Sequence, residues 1–254
     1  MMNGFSATLA DSATMLRRNF RHTMRNPLAL FNGIIMPMFL MFLMVYIFGD
    51  AFSVGVNYAD YATPGLILTA ICYGVGPTAI AVSSDMTTGF INRLRVMDVS
   101  RAAVLNAHVI ATMLRSLVAI ALLIGVALLM GFRPSASFME WLGVIGIVAL
   151  TVLAIGWLTV AFGLAAKSAE SAGLAAVPLM LLPFLSSAFV PADKMGPGAR
   201  QFAEYQPFTS IIETLRGLLT GAPSAGPAIT AIAWCVGITL IGYLWARATF
   251  TKRA

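Results

Sequence analysis

The sequence predicts an all-α membrane protein with six transmembrane helices and no separate soluble domain. Of its 254 residues, 59% are hydrophobic and only 10% are charged, whereas a soluble domain has about 25% charged residues. Six apolar runs of roughly 20 residues follow one another, and a helix of that length crosses a hydrocarbon core of about 30 Å. The basic residues concentrate in alternate polar segments, which is typical of a chain with a fixed orientation in the membrane.

The apolar runs cover residues 28–48, 62–83, 102–130, 141–166, 172–190 and 228–246. Besides Pro64 at the start of the second run, four prolines lie inside these runs, where each removes a helix hydrogen bond and predicts a kink. They are Pro37, Pro77, Pro178 and Pro183.

The third run is unusual because it carries His108 and Arg115 in its first half. A charge at the bilayer centre costs about 2.5–3.5 kcal/mol on insertion. We therefore expect Arg115 to lie near the cytoplasmic rim, to extend its side chain to that rim, or to face a partner subunit. A contact with substrate is the alternative.

The distribution of basic residues predicts the orientation. Twelve of the 16 lysines and arginines fall on one side, and cytoplasmic loops are enriched in these residues. Both termini, segment 84–101 and turn 167–171 are therefore predicted to be cytoplasmic, and 49–61, 131–140 and 191–227 to lie outside. The four basic residues on the outer side are Arg133, Lys194, Arg200 and Arg216.

Residues 1–27 predict an amphipathic helix that lies in the membrane interface. Apolar residues recur every three or four positions, and Arg17, Arg21 and Arg25 form a neighbouring basic stripe. Such a helix places its arginines among anionic headgroups. Asn26-Pro27 ends it, because the residue before a proline is disfavoured in a helix. Residues 28–254 then form the transmembrane domain.

Segment 84–101 is the most charged break between two predicted spans. Its apolar residues Phe90, Ile91, Leu94 and Met97 form one patch on a helix whose other faces are charged. One interpretation is a handle that a separate, energy-supplying subunit grips. The other is an ordinary loop helix that anchors at the lipid surface, and spacing alone does not separate the two.

The last outer connection, 191–227, contains a second amphipathic pattern. Five prolines divide it, and between Pro207 and Gly221 the apolar residues fall on one stripe of a helix. Glu213 and Arg216, three residues apart, lie off that stripe and could form an ion pair. We predict a short outer helix that dips into the membrane and roofs a cavity.

Several kinds of site are excluded by the sequence. None of the three lysines follows a glycine as a P-loop requires, and no metal-ligand spacing is present, so no catalytic residue, metal or bound cofactor is predicted. Cys72 and Cys235 lie in apolar runs and resemble buried hydrophobes. The G-x-G-x-x-A run at 74–79 has no preceding strand, so it is not a dinucleotide-binding motif, and its small residues are predicted to allow close helix contact. A permease without its own energy source and a self-sufficient secondary transporter or channel remain, with a membrane enzyme least favoured.

The ordered motifs resemble the membrane subunit of ABC type-2 exporters, especially those of daunorubicin/doxorubicin resistance. The resemblance covers essentially the whole chain. It rests on Arg25-Asn26-Pro27, Pro64-Gly65, the set Asp85, Gly89, Arg93, Leu94, Arg95, Ser100 and Arg101, then Phe189-Val190-Pro191 with Met195, Gln206-Pro207-Phe208-Thr209, and Glu213, Leu215, Arg216, Gly217 and Gly221. One departure is Asp85, where many relatives have Glu.

The resemblance implies a type V ABC exporter-like architecture: six spans, a cytoplasmic coupling helix at 84–101 and outer re-entrant helices at 191–227. It implies that two ABC ATPase subunits carry ATP and Mg and that a second permease, expected to be identical, completes the complex. It implies a multi-pass protein of the bacterial inner membrane that contacts lipids and no nucleic acid. The coupling residues would be Asp85, Gly89, Arg93, Leu94, Arg95, Asp98 and Arg101, and the outer-helix residues Pro207, Phe208, Glu213, Arg216 and Gly217.

Overall fold

The computed structural model describes residues 31–51, 55–87 and 101–253, and the elements within these ranges are helical. The helices are α1 (Met36–Phe42), flanked by π-helical Phe31–Ile35 and Leu43–Ile47, then α2 (Tyr58–Thr87), α3 (Arg101–Leu129), α4 (Phe138–Ala165), α5 (Ala169–Leu181), α6 (Ala199–Tyr205), α7 (Pro207–Leu219) and α8 (Ala225–Arg253). Three short 3-10 turns, Gly49–Ala51, Leu182–Leu185 and Ala192–Lys194, lie between them.

Within the described residues, four helices are long and apolar enough to cross a membrane: Tyr58–Thr87, Leu105–Leu129, Phe138–Ala165 and Ala225–Lys252. The other two predicted spans fall on shorter apolar helical segments, Gly33–Ile47 and Ala169–Leu185. The all-helical, multi-pass membrane fold is therefore confirmed, while the count of six spans stays a prediction. The predicted helix within 1–27 and most of segment 84–101 lie outside the described residues.

Helix α2 forms the centre of the bundle, and α8 lies at its periphery. In the most apolar stretch of α2, 78% of residues are buried inside the protein, against 17% for α8. Helix α2 packs against α3, α4 and α5, while α8 packs mainly along α4. A span buried by protein on most sides can carry polar groups, because neighbouring helices supply the hydrogen bonds that lipid cannot.

Helix α2 begins at Tyr58, four residues before the predicted run, because polar groups stabilise its first turn. The side chain of Asn57 accepts a hydrogen bond from the backbone N–H of Ala59 at 2.9 Å, as an N-capping side chain does. Helix α4 begins in a similar way, with a capping box formed by Ser137 and Glu140.

Helices α2 and α4 approach closely at Gly163. A Cβ added at Gly163 would lie 2.6 Å from the carbonyl oxygen of Ala79, in the small-residue run 74–79. Small residues at a crossing allow membrane helices to pack by backbone contact, so the interpretation of this run as a helix contact is confirmed for Ala79.

Replacing Gly163 with alanine is expected to destabilise the protein, because α2 and α4 must separate to admit a methyl group. Overpacking costs about 1–3 kcal/mol, which outweighs the gain of about 1 kcal/mol in helix propensity. Gly146→Ala, on the same helix with nothing within 4 Å of the added Cβ, is the matched control. Thermal unfolding in detergent should show a lower Tm for Gly163→Ala alone; equal Tm values would show that this crossing is not tight.

Candidate functional site

The predicted site residues fall into three groups, of which the structure describes one fully. Arg17, Arg21 and Arg25 of the interfacial helix lie outside the described residues, as do Gly89, Arg93, Leu94, Arg95 and Asp98 of segment 84–101. Asp85 lies in the last turns of α2, and Arg101 is the first residue of α3. The predicted residues of the outer helix all lie in α7.

Helix α7 forms as the sequence predicts. Pro207 occupies its first position, where the missing N–H costs nothing. The predicted apolar stripe is buried against α2, α4 and α8. Its fully buried members include Phe208, Ile211, Ile212 and Leu215. The helix is therefore held to the bundle by one apolar face, and its polar residues lie at the edge of that contact.

Arg216 on α7 forms a compact cluster with Tyr61, Ser187 and Glu213, here called the outer clasp. Its guanidinium Nη1 lies 2.5 Å from Glu213 Oε1. Its Nη2 donates to the carbonyl oxygens of Ser187 at 2.8 Å and Tyr61 at 3.2 Å. The ion pair predicted from the spacing of Glu213 and Arg216 is confirmed, and it is part of a larger network.

Further bonds within the outer clasp close the network. The hydroxyl of Ser187 donates to Glu213 Oε1 at 2.7 Å, and the hydroxyl of Tyr61 donates to the carbonyl of Ser187 at 3.0 Å. The guanidinium of Arg216 also lies 3.9 Å from the centre of the Tyr61 ring, a cation–π contact. The outer clasp thereby joins the start of α2, the segment after α5, and α7.

The backbone around the outer clasp is closely packed. A Cβ added at Gly65 would lie 2.6 Å from Cβ of Ala188, so α2 and the segment after α5 are in direct contact there. At the other end of α7, a Cβ at Gly217 would lie 2.9 Å from the carbonyl of Ala222. Gly217 therefore permits the tight turn that follows α7.

Sequence reasoning found the residues of α7 but missed the rest of the outer clasp. Ser187 and Tyr61 lie 29 and 155 positions from Arg216, and both bonds go to backbone oxygens that carry no residue-specific signal. Tyr61 precedes an apolar run, and nothing in its neighbouring residues indicated that its ring and hydroxyl contact a polar cluster.

A second polar cluster, here called the polar track, runs between α2 and α3 inside the bundle. Arg115 Nη2 donates to the carbonyl of Gly74 at 3.1 Å and to the hydroxyl of Thr78 at 2.7 Å. The hydroxyls of Thr78 and Thr112 lie 2.7 Å apart, and that of Thr112 donates to the carbonyl of His108 at 2.8 Å. Each hydroxyl can thus accept one bond and donate the next.

The polar track corrects the expectation for Arg115. The guanidinium of Arg115 does not extend along α3 to the cytoplasmic rim. It bonds to α2 of its own chain, in the turns around Pro77. A proline interrupts the helix bonding of its neighbourhood, and an arginine from the next helix can bond the carbonyls there. Positions 108, 112 and 115 lie on one face of α3 at helical spacing. This polar face could have been recognised from the sequence.

The polar track ends at Asp85 on the side predicted to be cytoplasmic. Its carboxylate Oδ2 lies 3.1 Å from His108 Nε2, and both residues are buried. Asp85 is therefore packed between α2 and α3 at the base of segment 84–101 and does not project from a solvated loop. This contact joins the last turns of α2, where the predicted coupling segment begins in the sequence, to α3.

The fold and these two clusters define a multi-pass membrane protein whose polar interior consists of hydrogen bonds between helices. Within the described ranges, no three His, Cys, Asp or Glu side chains are close enough to hold a metal ion. The polar groups of both clusters join the helices to one another.

Comparison with known proteins gives the family. The family model of the ABC-2 type transporters matches residues 12–220 of this chain. The chain therefore belongs to the ABC-2 type transporter family. It is 26% identical over 216 residues, 84% of this chain and 74% of the other, to a "daunorubicin resistance ABC transporter permease protein DrrB1" of Streptomyces coeruleorubidus. It is 25% identical over 241 residues, 93% and 87% of the two chains, to a "probable doxorubicin resistance ABC transporter permease protein DrrC" of Mycobacterium tuberculosis. The resemblance found in the sequence is thus confirmed.

Proposed function

We propose that this chain is the membrane-spanning permease subunit of an ATP-driven exporter, which moves an amphipathic drug-like or lipid-like substrate outward across the bacterial inner membrane. The family match over residues 12–220 carries the proposal. Two of the relatives are named as drug-resistance permeases, which favours an aromatic, amphipathic cargo such as an anthracycline. Because the chain has no P-loop lysine, ATP and Mg would be bound by a separate ATPase subunit.

The expected complex contains two permeases and two ATPase chains, with both termini of the permease in the cytoplasm. The excess of basic residues on that side supports the orientation. The basic stripe of Arg17, Arg21 and Arg25 would hold the N-terminal helix among anionic headgroups. An identical second permease is the simplest arrangement, since closed two-fold symmetry is the commonest in oligomers.

The contacts of α2 suggest how ATPase movement would reach the outer face. Asp85 at one end of α2 lies at the base of the predicted coupling segment, and Tyr61 near the other end belongs to the outer clasp. These residues are 24 positions apart on one helix, about 36 Å at 1.5 Å per residue. We infer that displacement of segment 84–101 moves α2 and α3 together, through Asp85–His108 and Arg115, and loosens the outer clasp.

The interaction with the ATPase is tested by co-purification. An ATPase chain with a P-loop is expected to remain bound to the tagged permease, and Arg95→Glu with Asp98→Lys should abolish that binding, because two neighbouring charges of the docking segment are reversed. Reversal of Arg200 and Glu204, an exposed pair on α6 on the side predicted to lie outside, is the control and should bind normally. Equal binding by both double variants would show that 84–101 is not the docking segment.

A self-sufficient secondary transporter or channel is the alternative. The polar track could be regarded as part of an ion path, since intramembrane charged residues mark such paths. Its groups, however, are engaged with one another and with backbone carbonyls, which favours a structural joint between helices. Flux driven by an ion gradient through the chain alone would support the alternative.

A further inference from the structure

A cavity of 410 Å³ lies between the start of α3, the second half of α4 and the end of α8. It is distinct from the outer clasp and from the polar track. Trp157 and Phe250 are buried and form its floor, and Tyr243 and Arg247 on α8 form one wall. Asn106 and Thr251 add polar groups near its mouth.

The aromatic part of the cavity has a defined geometry. The rings of Trp157 and Tyr243 meet edge to face, with centres 5.0 Å apart and planes at 89°. Trp157 lies eight residues before the end of the 28-residue α4, about 12 Å along the helix, and α4 exceeds a 30 Å hydrocarbon core by about the same length. The floor therefore lies in the half of the span nearer the predicted cytoplasmic side, toward the interface where tryptophan and tyrosine accumulate.

The charge at the mouth of the cavity comes from Arg247. Its side chain is exposed, and among the residues that the structure describes no carboxylate forms an ion pair with it. The cavity thus combines an available cation with an apolar aromatic floor a few ångströms deeper in the membrane. A free phosphate would gain nothing from that floor, whereas an anionic amphiphile would contact both parts.

We propose that this cavity binds an anionic phospholipid of the surrounding bilayer, with its phosphate at Arg247 and its glycerol and upper acyl chain against Trp157 and Phe250. Basic pockets between spans on the cytoplasmic side commonly hold anionic headgroups, and the cavity lies on the side that the basic residues assign to the cytoplasm. This site does not depend on the transport function proposed above.

Quenching of Trp157 fluorescence by brominated lipids tests the proposal on the full chain in vesicles. Trp141, Trp234 and Trp245 are replaced by phenylalanine, so that Trp157 remains as the reporter. Brominated phosphatidylglycerol is expected to associate about fivefold more strongly than brominated phosphatidylcholine, the ratio that one cation near the surface supplies. Equal quenching by the two lipids would show only bulk lipid at this position and overturn the proposal.

Two matched variants separate a built site from general surface charge. Arg247→Gln should remove the preference for the anionic lipid, and Lys252→Gln, on the same helix but outside the cavity, should retain it. Loss of the preference in both variants would contradict a specific site, as would displacement of the lipid by free glycerol phosphate. If the single-tryptophan form does not fold, native mass spectrometry of the chain with all four tryptophans measures the same preference for phosphatidylglycerol over phosphatidylcholine in the two variants.

Discussion

Replacing Arg216 with methionine is expected to lower the free energy of unfolding by about 2–3 kcal/mol. The substitution keeps the apolar stem of the side chain but removes the charged hydrogen bonds to Glu213, Ser187 and Tyr61, each of which contributes about 1.5–3 kcal/mol when a charge is involved. The side chain of Glu213 is 38% exposed, so water can hydrate its carboxylate once Arg216 is removed. The total loss of stability therefore stays well below the sum of the individual hydrogen bonds. For a chain of this size the Tm should fall by roughly 4–12 °C.

The protein contains a matched control for this prediction. Arg200 and Glu204 form a second Arg–Glu pair on the neighbouring helix α6, at 2.7 Å, with the arginine side chain 53% exposed. An exposed pair contributes about 0.2–1 kcal/mol, so Arg200→Met should shift the Tm by at most a few degrees. If the two variants lost equal stability in the same detergent, the outer clasp would not be the joint that the structure indicates.

Replacing Arg115 with methionine is expected to leave the protein folded but to reduce ATP-driven transport at least tenfold. The substitution removes a buried charge, which in a membrane span carries an insertion cost of about 2.5–3.5 kcal/mol, and this gain offsets the hydrogen bonds that are lost. The bonds to Gly74 and Thr78, which fix α3 against α2, are lost at the same time. On our proposal the two helices then no longer move together.

The control for Arg115 is the adjacent Leu114, which is 44% exposed on the outside of the bundle. Leu114→Met should leave both expression and transport unchanged. Transport is measured as ATP-dependent accumulation of a fluorescent anthracycline in inverted vesicles that contain permease and ATPase. Full transport by Arg115→Met would show that the polar track is a passive feature of the fold.

Much of the fold can be predicted from the sequence, because the free energy of transfer from water into the membrane is set by the composition of each segment separately. The apolar runs, the outer helix α7 and the pairing of Glu213 with Arg216 were predicted from local spacing, which depends on residues within one or two turns. Where a helix begins depends on single polar contacts, and α2 therefore starts at Tyr58 rather than at the first residue of its apolar run.

The bonding partners of the polar interior could not be predicted in the same way. The insertion cost of Arg115 assumes an isolated side chain in lipid, and nothing in hydropathy indicates that the interrupted turns near Pro77 offer carbonyl acceptors. The bonds of Arg216 to Ser187 and Tyr61 likewise depend on a close contact between Gly65 and Ala188, which is a property of the packed bundle. The roles of segment 84–101 and of the N-terminal arginines remain predictions.

The dependence of the permease on a separate energy source is measured most directly by reconstitution. Vesicles containing this chain alone are compared with vesicles that also contain the ATPase subunit, each with ATP, without ATP, and with an ion gradient in place of ATP. Our account predicts anthracycline movement only when both proteins and ATP are present. Movement through the chain alone, with or without an ion gradient, would contradict it.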